Sequence, residues 1–141
     1  MARIVFETDL AAPAERIVEA LSTQKGITGW WTDDVDFPAA DRMTLGFAVA
    51  PARFELRVDQ ADETQVRWTS VGAFPPHWAN TEITWTLTAK GDSTTVHFAH
   101  EGWADDTGPF PSSALTWAQL MGTLKDHTET GASTPLFRRG D

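Results

Sequence analysis

The chain has 141 residues, no cysteine and a formal net charge of −9. This length predicts one domain over residues 1–141, and the missing cysteines exclude disulfides and thiolate chemistry. The acidic balance argues against nucleic-acid binding and against an anionic membrane surface, because both need a basic protein face. The sequence shows no signal-peptide pattern and no long apolar run, so we expect a cytoplasmic protein that does not insert into a membrane.

The first quarter of the chain predicts one strand and two helices. Side chains alternate over Arg3–Asp9, which is typical of a strand. Pro13 then suits the first turn of a helix. Ser22–Gly29 predicts a second, shorter helix that ends at its glycine. The buried side of the first helix is predicted to consist of Ile17, Val18, Ala20 and Leu21.

An acidic run, Thr32–Asp36, follows the adjacent Trp30 and Trp31. Its aspartates lack the spacing, the glycine and the closing glutamate of a calcium-binding EF-hand loop. We therefore predict a solvated turn here and no calcium site.

Regular alternation dominates the middle of the chain and predicts five further strands. Val66, Trp68, Ile83, Trp85, Leu87, Val96, Phe98 and His100 fall on the predicted inner face. The last two strands form a hairpin through a Lys-Gly-Asp turn. The predicted strands are Arg42–Ala48, Arg53–Gln60, Thr64–Val71, Thr81–Ala89 and Ser93–Glu101.

A long amphipathic helix is predicted over Pro111–Gly131. Its apolar side chains Trp117, Leu120, Met121 and Leu124 recur at the spacing of one helix face. Ser112 is the predicted cap at its start, and Gly131 the predicted end. The element order predicts an α+β protein with a curved antiparallel sheet wrapped around this helix. The space between the helix and the sheet is then the candidate functional site.

Several segments resemble a known family. Ala12–Leu21 resembles the opening helix of the START-like (SRPBCC) superfamily, and Trp30-Trp31 and Thr94–Gly102 resemble its branch of heat-shock-protein-90 ATPase activator homologues. The closing helix matches that branch at Trp117, Leu120, Leu124, Lys125, Glu129 and Gly131. This resemblance implies a helix-grip (pollen-allergen-like) fold with seven strands, the seventh within Phe74–Trp78 or made by splitting a predicted strand. It also implies a hydrophobic cavity, which in some members holds lipids, hormones or polyketides.

The leading functional hypothesis is a noncatalytic module that binds a small apolar or aromatic molecule, without a cofactor. Seven tryptophans and no tyrosine fit either a packed core or a cavity wall. The loops at residues 71–78 and 102–110 either cover the cavity or simply connect elements. The predicted lining consists of Trp30, Trp31, Phe47, Trp68, Trp85, His100, Trp117, Leu120, Met121 and Leu124.

His100 is the candidate polar group of the cavity. Its inward position predicts a neutral imidazole that either orients a ligand or is satisfied within the core. His97 and His100 differ by an odd number along a strand, so they face opposite sides and no metal site is predicted.

Two rival functions remain open from the sequence. The first is a co-chaperone-like domain that binds a heat-shock-protein-90-type ATPase in a stress response, as the resemblance implies. The second is a cavity-based enzyme of the cyclase or hydrolase kind, with His100 as its acid or base. The protein is expected to be a monomer or a homodimer.

Overall fold

The computed structural model describes residues 2–48 and 50–139. They form a curved seven-stranded antiparallel sheet, two short early helices and one long helix near the C-terminus. The strands are β1 (Ala2–Leu10), β2 (Val35–Ala39), β3 (Arg42–Leu45), β4 (Phe54–Ala61), β5 (Gln65–Ser70), β6 (Glu82–Lys90) and β7 (Ser93–Trp103). The helices are α1 (Ala14–Ser22), α2 (Gln24–Thr28) and α3 (Phe110–Thr130), with one 3₁₀ turn at Pro76–Trp78. The predicted helix-grip fold is therefore confirmed.

The sheet order is β1-β7-β6-β5-β4-β3-β2. Strands β2 to β7 run as a meander, and β1 joins the sheet beside β7. The register places Trp85 opposite Phe98 and Ile83 opposite His100, so one buried row crosses the hairpin. The alternation read from the sequence predicted this inner face, because side chains two apart share a face. Every predicted inward residue of β5, β6 and β7 is buried.

The seventh strand lies where the sequence predicted a solvated turn. The edge strand β2 covers Val35–Ala39, and both Val35 and Thr32 are buried. The prediction of a solvated turn at Thr32–Asp36 was thus wrong for the buried Thr32 and for Val35–Asp36, which belong to β2, whereas Asp33 and Asp34 lie outside any strand and are partly exposed. The seventh strand arises neither within Phe74–Trp78 nor by splitting a predicted strand. An edge strand tolerates aspartates and a proline, because one side of its backbone has no ladder partner. The sequence of β2, which contains an aspartate and a proline, therefore does not resemble a typical strand.

Helix α3 begins one residue earlier than predicted and without the predicted cap. Pro109 occupies the cap position, and the Ser112 hydroxyl donates to the Pro109 carbonyl instead of accepting from the helix N–H groups. Gly131 ends the helix in the left-handed conformation, at φ 79°, as predicted. The predicted stripe of Trp117, Leu120, Met121 and Leu124 is buried.

Indole rings fill the space where the sheet meets the helices. Trp31 stacks on Trp68 with ring centroids 5.6 Å apart, and Trp85 meets Trp68 edge-on at the same separation. Trp30 donates its indole N–H to the Ala20 carbonyl at 2.8 Å, which fixes α1 to the aromatic core. Within residues 2–48 and 50–139, no helix combines the length and the hydropathy needed to cross a bilayer.

Candidate functional site

A cavity of about 210 Å³ lies beside the first half of α3. For comparison, a cavity of roughly 150 Å³ in another protein admits benzene. The space therefore suits a ligand of one or two fused rings. Its lining consists of Trp31, Phe47, Ala50, Phe54, His77, Trp78, Ser112, Ser113, Thr116, Trp117, Leu120 and Phe137.

Tryptophan and phenylalanine make up half of the lining residues, and their rings contact one another. Trp31 and Trp117 lie 5.2 Å apart between ring centroids. Phe47 meets Phe54 at 4.8 Å and Phe137 at 5.0 Å, both edge-on. Aromatic pairs prefer such tilted geometries, and each ring limits the movement of its neighbours. The wall is thus largely formed before any ligand arrives.

Distant parts of the chain build this wall. Trp117 and Leu120 come from α3, while Trp31 follows α2. The C-terminal segment is held in place by backbone bonds from Leu136 N–H to the Trp30 carbonyl (3.1 Å) and from Phe137 N–H to the Trp31 carbonyl (3.0 Å). These bonds position the Phe137 ring over the loop that carries Phe47, so the C-terminal segment closes one side of the cavity.

Four of the ten predicted lining residues face this cavity: Trp31, Phe47, Trp117 and Leu120. Phe47 does so from a loop, because β3 ends at Leu45 and not at Ala48 as predicted. The other six residues do not line it. Met121 borders a second depression, and the remaining five are buried in the core, where they pack against other side chains. Those five are Trp30, Trp68, Trp85, His100 and Leu124.

His100 belongs to a continuous hydrogen-bond chain in the core. The Trp117 indole N–H donates to His100 Nδ1 at 3.1 Å, which fixes Nδ1 as the acceptor. His100 Nε2 lies 3.0 Å from the Thr81 hydroxyl, and that hydroxyl donates to the Trp78 carbonyl at 2.6 Å. The chain therefore requires a neutral imidazole protonated at Nε2. Both ring nitrogens are engaged by protein groups, so neither is free for a ligand or for acid–base chemistry.

Burial lowers the pKa of His100 to about 3, with a smaller contribution from nearby His77. The predicted neutral state of His100 agrees with this shift. Burial also lowers the pKa of His77, which lines the cavity and stacks on Trp103 with ring centroids 5.5 Å apart. His97 is exposed on the opposite face of β7, as the odd spacing predicted. Its Nδ1 lies 3.6 Å from a Glu7 carboxylate oxygen.

Most of the remaining lining residues were not predicted from the sequence. Ser113 lies four residues before Trp117 on α3 and shares its face, so helical spacing could have found it. Trp78 and His77 lie in the loop predicted as a cover, whereas none of residues 102–110 lines the cavity. Alternation along β4 places Phe54 on the same face as the buried Leu56, so the strand pattern could have found it, whereas nothing in the local sequence marks Phe137.

A second depression of about 280 Å³ lies on the other side of α3, against edge strand β1. Unlike the first cavity, it is bordered by charged side chains, Glu7 and Lys125, together with Phe6, Thr8, Ala118, Met121 and Gly122. Over residues 2–48 and 50–139, no group of three or more histidine, aspartate or glutamate side chains is arranged to hold a metal ion.

No protein-family model matches this sequence, and no curated protein matches it. Several solved structures, in contrast, match this chain over most of its length. The Aha1 dimer from Colwellia psychrerythraea is 28% identical and superposes with a TM-score of 0.80, over 93% of this chain and 98% of that one. The chain has the START-like (SRPBCC) helix-grip fold. It is similar to the Aha1-like branch, and the predicted resemblance is confirmed.

Other START-like structures share the fold at lower identity. A protein from Staphylococcus saprophyticus is 17% identical with a TM-score of 0.73, over 94% of this chain and 96% of that chain. DynU16, from the dynemicin biosynthetic locus, is 20% identical with a TM-score of 0.75. The matched region includes 97% of this chain and 51% of DynU16. These likenesses show the fold, and they assign no ligand.

Proposed function

We propose that this START-like protein binds a small, mainly apolar molecule in the cavity beside α3 and catalyses no reaction on it. The observation that carries this proposal is the cavity of about 210 Å³, lined by six aromatic rings. Ligand sites are concave, mostly apolar and few in a protein. The lining brings together four of the residues predicted from the sequence, Trp31, Phe47, Trp117 and Leu120.

The absence of a reactive set among the lining residues supports binding over catalysis. The lining holds no aspartate, glutamate, lysine or arginine. Its one histidine, His77, stacks on Trp103, and none of its side chains pairs with it as a general acid or base would. His100, the sequence candidate for that role, has both nitrogens engaged in the core.

A titration of naphthalene followed by tryptophan emission tests the proposal, because Trp31, Trp78 and Trp117 surround the cavity. The blocking variant is Ala50→Phe, which places a ring inside the lining. Ala89→Phe, at an exposed position on β6, is the matched control. We expect saturable binding in the wild type and in Ala89→Phe, and none in Ala50→Phe. Binding that survives the blocking ring, or no binding by the folded wild type, would overturn the proposal.

We propose that this protein forms a homodimer, because the similar Aha1 protein from Colwellia psychrerythraea is a dimer. Two copies with net charge −9 repel each other, and this repulsion is weakest when they meet through a surface without charged side chains. Residues 107–124 contain no charged side chain, and Leu115 on this stretch is 64% exposed. The N-terminal half of α3 is therefore the face we assign to the second copy.

Sedimentation tests the dimer. We expect the wild type to sediment as a dimer and Leu115→Lys as a monomer. Gln24→Lys, which adds the same charge at an exposed position on α2, should remain dimeric. A monomeric wild type at every concentration, or a dimeric Leu115→Lys, would remove this assignment.

A partnership with a heat-shock-protein-90-type ATPase is the alternative function that the similarity to Aha1 supports. This function would depend on a surface that contacts the chaperone and not on the cavity. Ala50→Phe should therefore change the ATP hydrolysis rate of the chaperone as much as the wild type does. The measurement is the ATP hydrolysis rate of the chaperone with and without the chain. An unchanged rate and no complex would end this alternative.

A further inference from the structure

The cavity has one polar side, and it belongs to a single helix. Ser112, Ser113 and Thr116 lie on the first two turns of α3 and are the hydroxyl-bearing residues of the lining. Aromatic rings, Ala50 and Leu120 make the rest of the lining, apart from His77. A bound molecule therefore meets polar atoms chiefly from one direction.

The hydrogen bonds within α3 determine what these hydroxyls can offer. The Ser112 hydroxyl donates to the Pro109 carbonyl at 3.2 Å, and the Thr116 hydroxyl donates to the Ser112 carbonyl at 3.0 Å. Their protons are therefore committed, while their oxygen lone pairs can still accept. The Ser113 hydroxyl has no hydrogen-bond partner in the described part of the chain, so it can both donate and accept.

The lining also restricts the charge of the ligand. It contains no aspartate, glutamate, lysine or arginine. An ionised group transferred from water to such surroundings loses its hydration without gaining an opposite charge, which is strongly unfavourable. Partial desolvation lowers the pKa of His77, which disfavours its cationic form as a partner for an anionic group. These residues therefore favour a ligand whose polar group is neutral and able to donate as well as accept.

We infer that the ligand is an uncharged one- or two-ring aromatic molecule that carries a hydroxyl group, that is, a phenol-type compound. This inference rests on the proposed function and specifies its ligand class. The ring lies among the aromatic side chains, as a volume of about 210 Å³ allows. The hydroxyl group of the ligand accepts a hydrogen bond from the Ser113 hydroxyl. It donates one to the Thr116 hydroxyl oxygen, whose own proton is bonded to the Ser112 carbonyl. A hydroxyl is the smallest neutral group that does both.

The experiment compares 2-naphthol with 2-fluoronaphthalene, which has nearly the same shape but no donor. Calorimetric titration gives the ratio of their dissociation constants for the wild type, Ser113→Ala and Thr116→Val. Ser93→Ala, at the start of β7 and outside the lining, is the matched control. Each α3 variant removes one hydrogen bond of ordinary strength to the naphthol hydroxyl. We therefore expect the preference for 2-naphthol to fall about three- to tenfold in each α3 variant and to stay unchanged in the control.

The outcomes separate this inference from the proposed function. Equal ratios in all four proteins, with both probes excluded by Ala50→Phe, would overturn the phenol assignment and leave the cavity as a binding site. Tighter binding of the charged 2-naphthoate than of 2-naphthol would also overturn it. Failure of every probe to bind the folded wild type would overturn both.

Discussion

The indole N–H of Trp117 donates to Nδ1 of His100 at 3.1 Å, deep between α3 and β7. This bond joins a cavity wall to the core. The second His100 nitrogen leads through the Thr81 hydroxyl to the carbonyl of Trp78, another wall residue. Trp117 and Trp78 stack 6.2 Å apart between ring centroids, so one polar chain ties together two neighbouring wall rings. His100 is therefore a positioning residue for the cavity.

We expect His100→Phe to lower the free energy of unfolding by about 1–3 kcal/mol, because it leaves the buried Trp117 N–H without an acceptor. Urea denaturation of His100→Phe, Trp117→Phe and the double variant forms a double-mutant cycle that isolates this bond. A double variant whose loss equals the sum of the two single losses would show that the residues do not interact.

Stability should fall as the solution becomes mildly acidic. Burial lowers the pKa of His100 from 6.5 to about 3, so the unfolded chain binds a proton in that interval that the folded chain does not. The contribution of neutral His100 is thus fully present above pH 6.5 and is lost at about 1.4 kcal/mol per pH unit below it. Unfolding free energies between pH 7 and pH 5, compared with those of His100→Phe, measure the effect. Equal slopes for both proteins would contradict it.

Gly102 occupies a position that no other residue should tolerate. Its φ is 96°, and a Cβ built there would lie 2.6 Å from the Asn80 carbonyl oxygen. We expect Gly102→Ala to cost about 2 kcal/mol or more, from strain and the backbone clash together. Gly91, at φ 63° with open space around it, is the control, and Gly91→Ala should cost about 1 kcal/mol. Thermal melts that rank the two variants in the opposite order would refute the close approach.

Gly122 should be replaceable with a gain in stability. It lies in the middle of α3, and a Cβ there meets nothing within 4 Å. We expect Gly122→Ala to stabilise the protein by about 0.5–1 kcal/mol, because alanine is the better helix former. Gly26→Ala is the contrasting helical variant, since its Cβ would overlap the Glu19 carbonyl oxygen, and it should destabilise. A lower melting temperature for Gly122→Ala would show that this glycine has another role.

The aromatic core was readable from the sequence, but the cavity was not. Alternation identified Trp68, Trp85 and Phe98 as inward, and the core confirms all three as buried. Periodicity shows only that a side chain faces inward. It does not show whether that side chain meets another ring or an empty space, and this difference separates Trp85 in the core from Trp31 on the cavity wall.

The sequence by itself determined the local features: the strand faces, the stripe on α3 and its end at Gly131, and the neutral state of an inward His100. Each follows from neighbouring residues and the geometry of helix or strand. Only the tertiary structure decided the position of β2, the use of both His100 nitrogens, and the place of Phe137 on the cavity wall. The physical reason is that these depend on contacts between segments far apart in the chain, which no local pattern encodes.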